Sequence, residues 1–291
     1  MQFSKIRYLV SFVFVSSILA GGILFGPGFA QQTKSTAPEI PLAIPSRFAT
    51  ASQNGITPAG STNWAGYVVK GPAGKISSVK MSWIVPAVSC SLLVETYSVN
   101  WVGIDGAGTN TVEQIGTTSN CGLLGASYSA WYEFYPNGMV SISEPVSPGD
   151  KMSAQVSYSS SIELYTLKLS DHTHVWAFQT TGTVSGAQDA TAEWVIERPT
   201  LCDIFGICNL ASLANFGTVY SGPKYTLLPN SQSDVATISG KTGSIGSFAS
   251  VSGDSVYSVT MYSSNSPTYS LASPSALQNG RSFATVWDAA N

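Results

Sequence analysis

Residues 192–199 read Ala-Glu-Trp-Val-Ile-Glu-Arg-Pro, and this stretch predicts a buried β-strand that carries acids on one face. Successive side chains of a strand point to opposite sides of the sheet. Glu193 and Glu197 therefore share a face with Val195, while Trp194 points to the other face. A glutamate in a strand usually lies on a solvated face. Because charged residues make up only 10% of this chain, acids among large apolar residues favour a functional role over mere solubility.

The remainder of the chain is a succession of short strand-like runs separated by turn residues. The runs cover residues 64–69, 78–85, 96–104, 111–115, 127–135, 152–158, 162–169, 175–180, 192–197, 214–220 and 255–262. No segment shows a sustained helical period. Many closely spaced strands in one chain predict an all-β fold, either a sandwich or a barrel.

The composition agrees with this fold class and narrows the range of partners. The 27 glycines and 15 prolines among 291 residues favour strands and turns over helices. A net charge of -3 indicates no basic patch, so we expect no nucleic-acid partner. With only 16 acidic side chains, the chain has few ion pairs to lose on acidification. Such a composition permits an acidic environment without requiring one.

The N-terminal segment has the organisation of an export signal. Lys5 and Arg7 precede an apolar run over residues 8–25, and small residues follow that suit signal-peptide cleavage. We therefore expect residues 1–30 to be a signal peptide and the protein to be secreted. An uncleaved membrane anchor is the alternative, because the apolar run is long.

Three further segments follow this signal. Residues 31–60 lack apolar periodicity and predict a pro-segment or linker. Residues 61–262 hold the strand-like runs and predict one β-sandwich domain. Residues 263–291 are rich in serine and are expected to form a C-terminal extension, with an apolar cluster at residues 283–287 that could add a strand.

Four cysteines in an exported chain predict two disulfides. Cys202 and Cys208 are close in sequence and are expected to close a short loop. Cys90 and Cys121 would then form the second bridge. Three pairings are formally possible for four cysteines, so the spacing favours this one without excluding the others.

Several kinds of active site are disfavoured by the sequence. The chain has no Gly-x-Ser-x-Gly motif, and its two histidines, His172 and His174, lie in a polar segment typical of an exposed turn. There is no Cys-x-x-Cys motif and no phosphate-binding glycine loop. We therefore expect no metal, no cofactor and no thiol nucleophile. The chemistry that remains is that of carboxylate and amide groups.

Two further strands predict an aromatic groove. Alternation places on shared faces Trp101, Gly103 and Asp105 in the first strand, and Trp131, Glu133 and Tyr135 in the second. A glycine between larger residues leaves room for a ligand against the sheet. Aromatic side chains so placed suit an extended peptide or sugar chain, although a single aromatic residue more commonly packs in a core. Between these strands, Glu113 and Gln114 are adjacent, so only one of them can face a given cleft.

Six short motifs stand in a characteristic order along the chain. They are Asn63-Trp64-Ala65-Gly66-Tyr67, Trp101-Val102-Gly103-Ile104-Asp105-Gly106, Gln114, Trp131-Tyr132-Glu133-Phe134-Tyr135-Pro136, residues 192–199, and Ala214-Asn215-Phe216-Gly217. Together and in this order they resemble the glutamic peptidases, the eqolisin family. The resemblance covers residues 61–262. Ser129 and Ile115 stand where many members of that family have aspartate and threonine.

The resemblance implies a fold, an activity and a site. The implied fold is a concanavalin-like sandwich of two antiparallel sheets. The implied activity is that of an acid endopeptidase with a glutamine–glutamate dyad, which by motif position consists of Gln114 and Glu193. The implied substrate-binding residues are Trp64, Trp101, Asp105, Trp131, Glu133 and Tyr135. We expect polypeptide substrates, a monomer and no obligate protein partner.

The chemistry of the dyad can be formulated as a hypothesis. Ionised Glu193 would take a proton from water, and the Gln114 amide would donate to the oxyanion that forms. Because an ordinary glutamate titrates near ~4.3, such an enzyme is expected to work best in acid. The alternative is a carbohydrate-binding or glycan-hydrolysing concanavalin-like sandwich that uses Glu133 and Glu193.

Overall fold

The computed structural model describes residues 54–203, 205–229 and 234–289, and most of the regular structure in them is β-strand. The strands are β1 Ile56–Ser61, β2 Trp64–Lys70, β3 Ile76–Ile84, β4 Val99–Ile104, β5 Val112–Gly122, β6 Gly125–Tyr135, β7 Val140–Ile142, β8 Lys151–Ser159, β9 Leu164–Asp171, β10 Trp176–Gly182, β11 Thr191–Glu197, β12 Thr200–Cys202, β13 Cys208–Leu210, β14 Thr218–Ser221, β15 Val235–Ile238, β16 Lys241–Ser244, β17 Ser255–Ser263, β18 Ser266–Pro274 and β19 Phe283–Trp287. Short helices lie at α1 Pro223–Thr226 and in a 3-10 turn at Ile245–Ser250. The all-β class predicted from the sequence is confirmed.

One layer, the front sheet, contains the strands that carry the motifs. Its order is β7, β6, β5, β4, β11, β2, β17 and β1. Neighbouring strands are antiparallel, except that β1 runs parallel to β17. The front sheet therefore places β4 and β11 next to each other, although almost ninety residues separate them in the chain.

The other layer, the back sheet, has the order β10, β9, β8, β3, β15 and β16, all antiparallel. The hydrogen-bonded ladder continues from β3 through β14, β19 and β18 to β17. The two layers are thus joined along one side by these three strands. The predicted sandwich of two antiparallel sheets is confirmed, with this continuous junction as an added feature.

The main apolar core lies between the two sheets. Val102 and Trp194 enter it from the front sheet, and Met81 and Leu167 enter it from the back sheet; each is at most 1% exposed. The indole nitrogen of Trp194 donates a hydrogen bond across the layers to the carbonyl oxygen of Lys80, at 2.6 Å. A buried donor requires such an acceptor, so this bond also aligns the sheets. The core therefore occupies one face of the front sheet, and the opposite face carries the alternate side chains of the same motifs, among them Trp101 and Val195.

Strands of the fold lie in both of the segments that were predicted to flank the β-sandwich domain. Residues 1–30 and most of the predicted pro-segment 31–60 lie outside the described residues. The last part of that segment forms β1, which pairs with β17. Within residues 263–291, β18 pairs with β17, and β19 pairs with β14. The sheet thus extends into both segments that flank residues 61–262.

Two disulfides have the predicted pairing. Cys90 is bonded to Cys121, and Cys202 is bonded to Cys208. The first bridge ties the segment before β4 to the end of β5, and the second closes the β12–β13 hairpin. Among the described residues, no helix has the length and apolar character needed to cross a membrane.

Candidate active site

The pairing of β5, β4 and β11 brings Gln114 and Glu193 to one face of the front sheet. Gly103 is the register partner of Gln114 on one side and of Glu193 on the other. Residues that pair directly across strands point to the same face, and adjacent strands lie ~4.8 Å apart. The two side chains therefore rise from backbones roughly 10 Å apart, over a residue that has no side chain. This face is the one opposite Trp194 and the main core.

Gly103 is required by the close approach of an aromatic ring. A Cβ atom added at Gly103 would lie 2.7 Å from Cζ3 of Trp101 and 3.1 Å from the carbonyl oxygen of Glu113. The Trp101 ring thus extends along β4 and covers Gly103. Any larger residue at position 103 would displace the ring or the strand, so glycine keeps the space between Gln114 and Glu193 in its present form.

Glu193 is fully buried, and its environment favours the protonated form. Burial raises the pKa of Glu193 well above its ordinary value. The Thr191 hydroxyl and the Ala107 backbone N–H lower the pKa by smaller amounts, while the negative charge of Asp105 raises it further. The pKa of an unperturbed glutamate therefore does not apply to this side chain, because burial raises it. Once ionised, Glu193 is a stronger base than a solvated glutamate.

The structure places Asp105 differently from the extended pattern predicted for it. β4 ends at Ile104, and Asp105 has a φ of 67°. Its carboxylate accepts hydrogen bonds from the backbone N–H groups of Gln188, Asp189 and Ala190, at 2.6, 2.9 and 2.9 Å. Asp105 thus anchors the segment that precedes β11 instead of projecting beside Trp101 and Gly103. Its charge still acts on Glu193.

Gln114 is held by a carboxylate on the next strand. It pairs with Glu133 across β5 and β6, and its Nε2 donates to Oε2 of Glu133 at 2.6 Å. Glu133 is fully buried. The structure therefore brings Glu133, Gln114 and Glu193 into one row across the front sheet, with Gly103 between the last two.

Glu113 points to the opposite face, as the alternation predicts. It is fully buried and faces Tyr165 and Asp189. Burial, followed by the charges of Asp105 and Asp189, raises the pKa of Glu113 to about 9. Tyr165 donates a hydrogen bond to Asp189 and lowers the pKa of Glu113 by a smaller amount. Glu113 is thus a neutral acid throughout the acidic range, on the far side of the sheet from Gln114.

The aromatic residues predicted to line the groove form a packed cluster on the same face of the front sheet as Gln114 and Glu193. Trp64, Trp101 and Trp131 are each at most 1% exposed, and Tyr135 is half-buried against the cluster. The rings of Trp64 and Trp101 meet edge to face, with centroids 4.9 Å apart. This geometry is favourable for aromatic pairs. The cluster is therefore a buried floor around the row of polar residues, with Tyr135 as its more accessible member.

Glu197 also belongs to this face, although the resemblance assigns it no role. Its two carboxylate oxygens accept hydrogen bonds from Asn63 Nδ2 at 3.1 Å and Trp101 Nε1 at 2.9 Å. Burial raises the pKa of Glu197 to about 8, while the bonds from Trp101 and Asn63 lower it. The sequence indicates this position, because a spacing of four residues from Glu193 within one strand places both acids on the same face.

The histidines lie at a turn in the back sheet, as the sequence predicts. Nδ1 of His174 lies 3.0 Å from Asp171 and 3.2 Å from Asp150, while Nε2 of His172 lies 2.8 Å from the Ser153 hydroxyl. Among the described residues, Asp150, Asp171 and His174 are the group whose ligand atoms are close enough for a metal. The imidazole already pairs with both carboxylates, which accounts for the cluster without an ion.

The chain is similar to one protein family and to several solved structures. Residues 62–269 match the model of the peptidase A4 family. Scytalido-glutamic peptidase, solved with a peptide-based transition-state analogue, is 21% identical; the match covers 78% of this chain and 98% of that one, with a TM-score of 0.62. SCP-B, an eqolisin solved with the tripeptide Ala-Ile-His, is 21% identical over the same shares, with a TM-score of 0.58.

A further solved structure resembles this chain. Aspergilloglutamic peptidase from Aspergillus niger is 25% identical; the match covers 66% of this chain and 99% of that one, with a TM-score of 0.50. A search of curated protein sequences finds no match. The structural likenesses show the shared sandwich, and the family model spans well over half of the chain. The chain therefore belongs to the peptidase A4 family and is a glutamic-type endopeptidase.

Proposed function

We propose that Gln114 and Glu193 are the catalytic dyad of a secreted acid endopeptidase. The observation that supports this assignment is their position on either side of Gly103, on the face of the front sheet opposite the main core. An amide and a carboxylate so placed can hold one water and one peptide carbonyl between them. The residues Trp64, Trp101, Trp131, Glu133 and Tyr135 surround this row and are proposed to shape the substrate site.

In the first step, ionised Glu193 removes a proton from the water, and the resulting hydroxide adds to the scissile carbonyl carbon. Negative charge develops on the carbonyl oxygen. An N–H of Gln114 donates to that oxygen and stabilises the oxyanion. Glu133 accepts the other Nε2 hydrogen and so orients the amide. A donor fixed in advance stabilises the transition state without reorganisation of the site.

In the second step, the proton held by Glu193 passes to the nitrogen of the leaving amine. The C–N bond breaks as the carbonyl forms again, and Glu193 returns to the carboxylate. One water is consumed, and one carboxylic acid and one amine are produced. A single side chain thus serves as the base and then as the acid.

The raised pKa of Glu193 sets the pH range of this scheme. The free protein holds Glu193 protonated in strong acid, so turnover depends on the fraction that is ionised. Activity should then rise with pH through the raised pKa of Glu193. The acid limb of the activity profile is therefore expected to lie above the ordinary glutamate pKa of ~4.3.

The glycan-hydrolysing alternative finds less support. A retaining glycosidase needs two carboxyl groups about 5 to 5.5 Å apart. Gln114 and Gly103 lie between Glu133 and Glu193 in the register, and Gln114 is hydrogen-bonded to Glu133.

Secretion is proposed from the charged and apolar N-terminal segment, and the monomeric state is proposed as the simplest assembly.

The test uses Gln114→Ala and Glu193→Gln in the mature protein. Cleavage of denatured haemoglobin, and release of reducing sugar from a β-glucan, are measured from pH 2 to 7. We expect each variant to lose at least about 100-fold in kcat while keeping the Tm within a few degrees. Gln179→Ala and Glu144→Gln change the same residue types at exposed positions and should leave turnover unchanged. Retained peptidase activity in a folded dyad variant removes that residue from the dyad.

A further inference from the structure

We propose that Glu197 is a positioning residue for this reaction, acting through Trp101 on the space between Gln114 and Glu193. The proposal rests on the dyad proposed above and adds to it a residue outside the pair. Glu197 is 1% exposed and lies on the same face of β11 as Glu193, two alternations further along. Substrate chemistry is not assigned to Glu197 itself.

The first step of the inference is the contact between Glu197 and Trp101. Their pairing strands bring the carboxylate of Glu197 to the indole, where Oε2 accepts the Nε1 hydrogen at 2.9 Å. A hydrogen bond at the edge of the indole fixes the ring's rotation about its side-chain torsions, which apolar packing alone leaves less defined. The Trp101 side chain therefore has one orientation imposed by a directional bond.

The second step is the position of the ring that this bond fixes. The six-membered part of the Trp101 indole lies against Gly103, with Cζ3 at 2.7 Å from the point where a Cβ would stand. Gly103 is the one residue between Gln114 and Glu193 in the register. The ring thus borders the space where a water and a peptide carbonyl would have to lie. A rotation of the indole would change the shape of that space directly.

The other carboxyl oxygen of Glu197 is connected, through Asn63 and Ser61, to Trp64, which packs on Trp101. Oε1 accepts from Asn63 Nδ2 at 3.1 Å, and Asn63 Oδ1 accepts from the Ser61 hydroxyl at 2.9 Å. The Ser61 hydroxyl oxygen in turn accepts from the backbone N–H of Trp64 at 3.1 Å. Trp64 packs edge to face on Trp101. Glu197 therefore orders both tryptophans, one directly and one through the start of β2.

A structural role alone would not select a carboxyl group at this position. Placing a carboxyl group in a buried site costs free energy that an apolar side chain of similar size would avoid. What the carboxyl group adds is two directed acceptors: one accepts from Trp101 of the aromatic cluster, and the other accepts from Asn63. With a pKa raised to about 8, Glu197 is neutral under acidic conditions, so glutamine matches its charge there and keeps one of the two acceptor oxygens.

The experiment compares Glu197→Met, Glu197→Gln, Trp101→Phe and the Glu197→Met/Trp101→Phe double variant. Phenylalanine keeps a ring over Gly103 but lacks the N–H donor. We expect Glu197→Met to lower kcat about 10- to 100-fold with KM changed less than about threefold, because the space at the dyad is misshapen. Glu197→Gln should retain kcat within about threefold, since its amide oxygen can accept from Trp101. Glu144→Met, at an exposed position, serves as the matched control.

The coupling between the two residues decides the outcome. If Glu197 acts through Trp101, the double variant should be no slower than the slower single variant. Additive losses in kcat, or an unchanged kcat in folded Glu197→Met, would overturn the proposal. If Glu197→Met does not fold, Trp101→Phe alone decides, because it removes the same hydrogen bond; an unchanged kcat there also overturns it. Active Gln114→Ala or Glu193→Gln would instead refute the dyad, so the two failures are distinguishable.

Discussion

Gln114 donates from Nε2 to Oε2 of Glu133 at 2.6 Å, across the register pair that joins β5 and β6. The bond runs along the row of residues that leads to Glu193, so the amide is oriented by a side chain on its far side from the proposed base. Nε2 of Gln114 carries two N–H groups, and the bond to Glu133 uses one of them. The orientation of the Gln114 amide therefore depends on Glu133 as well as on Gln114 itself.

Removal of the Glu133 acceptor should impair catalysis while both residues of the proposed dyad remain. We expect Glu133→Ala to lower kcat about 10-fold or more, because the Gln114 amide loses its orienting partner. Glu133→Gln should retain most of the activity, since its amide oxygen can accept the same hydrogen bond. Steady-state turnover of one peptide substrate by both folded variants checks this. Equal kcat for the wild type and Glu133→Ala would contradict it.

Gly103→Ala tests the space between the two residues of the proposed dyad. The added Cβ would meet Trp101 Cζ3 at 2.7 Å, so the ring or the strand must shift. We expect a loss of about 1 to 3 kcal/mol in the free energy of unfolding and a fall in kcat larger than the change in KM. At Gly138 an added Cβ has no heavy atom within 4 Å, so Gly138→Ala is the control. Chemical denaturation and steady-state kinetics measure the two effects, and wild-type values for Gly103→Ala would refute the packing argument.

The pH dependence of kcat/KM should report the raised pKa of Glu193. In the proposed mechanism the ionised form is the base, so activity is expected to be low below the pKa of Glu193 and to rise as pH passes through it. Because burial raises that pKa above its ordinary value, the midpoint of the acid limb should lie above 4.5. A series of kcat/KM measurements from pH 2 to 8, each on enzyme shown to be folded, gives the midpoint. A midpoint at or below 4.5 would exclude buried Glu193 as the titrating base.

Glu113 should make the folded protein less stable as the pH rises. Its folded-state pKa is raised to about 9, so it contributes stability that is fully present below the unfolded pKa near 4.5 and is lost as pH rises through the folded value. Glu113→Gln, which cannot ionise, should therefore flatten the fall in Tm between pH 5 and pH 9. Exposed Glu144→Gln should leave the fall unchanged. A wild-type slope in Glu113→Gln would contradict the assignment.

The two histidines should have opposite effects on stability against pH. The hydrogen bond to Asp171 and the charge of Asp150 raise the pKa of His174, so its contribution is complete below about 6.5 and is lost as pH rises through the folded pKa. Burial lowers the pKa of His172, so its contribution is complete above about 6.5 and declines in acid. His174→Gln should lower the Tm more at pH 5 than at pH 9, and His172→Gln should show the reverse. The same trend in both variants would refute the sign for one of them.

The local pattern along each strand was readable from the sequence. Alternation alone places Glu193 and Glu197 on one face of β11 and separates Glu113 from Gln114 in β5, because side-chain direction in a strand depends only on position parity. The pattern is less informative at strand ends. β5 was predicted to end at residue 115 but continues to Gly122, because pairing with β6 supports a polar stretch that apolar periodicity does not mark.

Asp105 shows where local pattern is insufficient. If β4 continued by one residue, Asp105 would lie on the same face as Trp101. Instead, the Asp105 backbone has a positive φ, and its carboxylate accepts hydrogen bonds from three backbone N–H groups more than eighty residues away in the chain. Those amides belong to the segment before β11, and no spacing within residues 100–106 indicates them.

By itself, the sequence determined the all-β class, the sides of the strands and, through ordered motifs, the family; its cysteine spacing favoured the disulfide pairs without determining them. Only the tertiary structure decided that Gly103 stands between Gln114 and Glu193, that Glu197 binds the Trp101 indole, and that burial raises the pKa of Glu193. The reason is physical: register between distant strands and exclusion of water are properties of the assembled sheets, whereas side-chain alternation is a property of each strand alone.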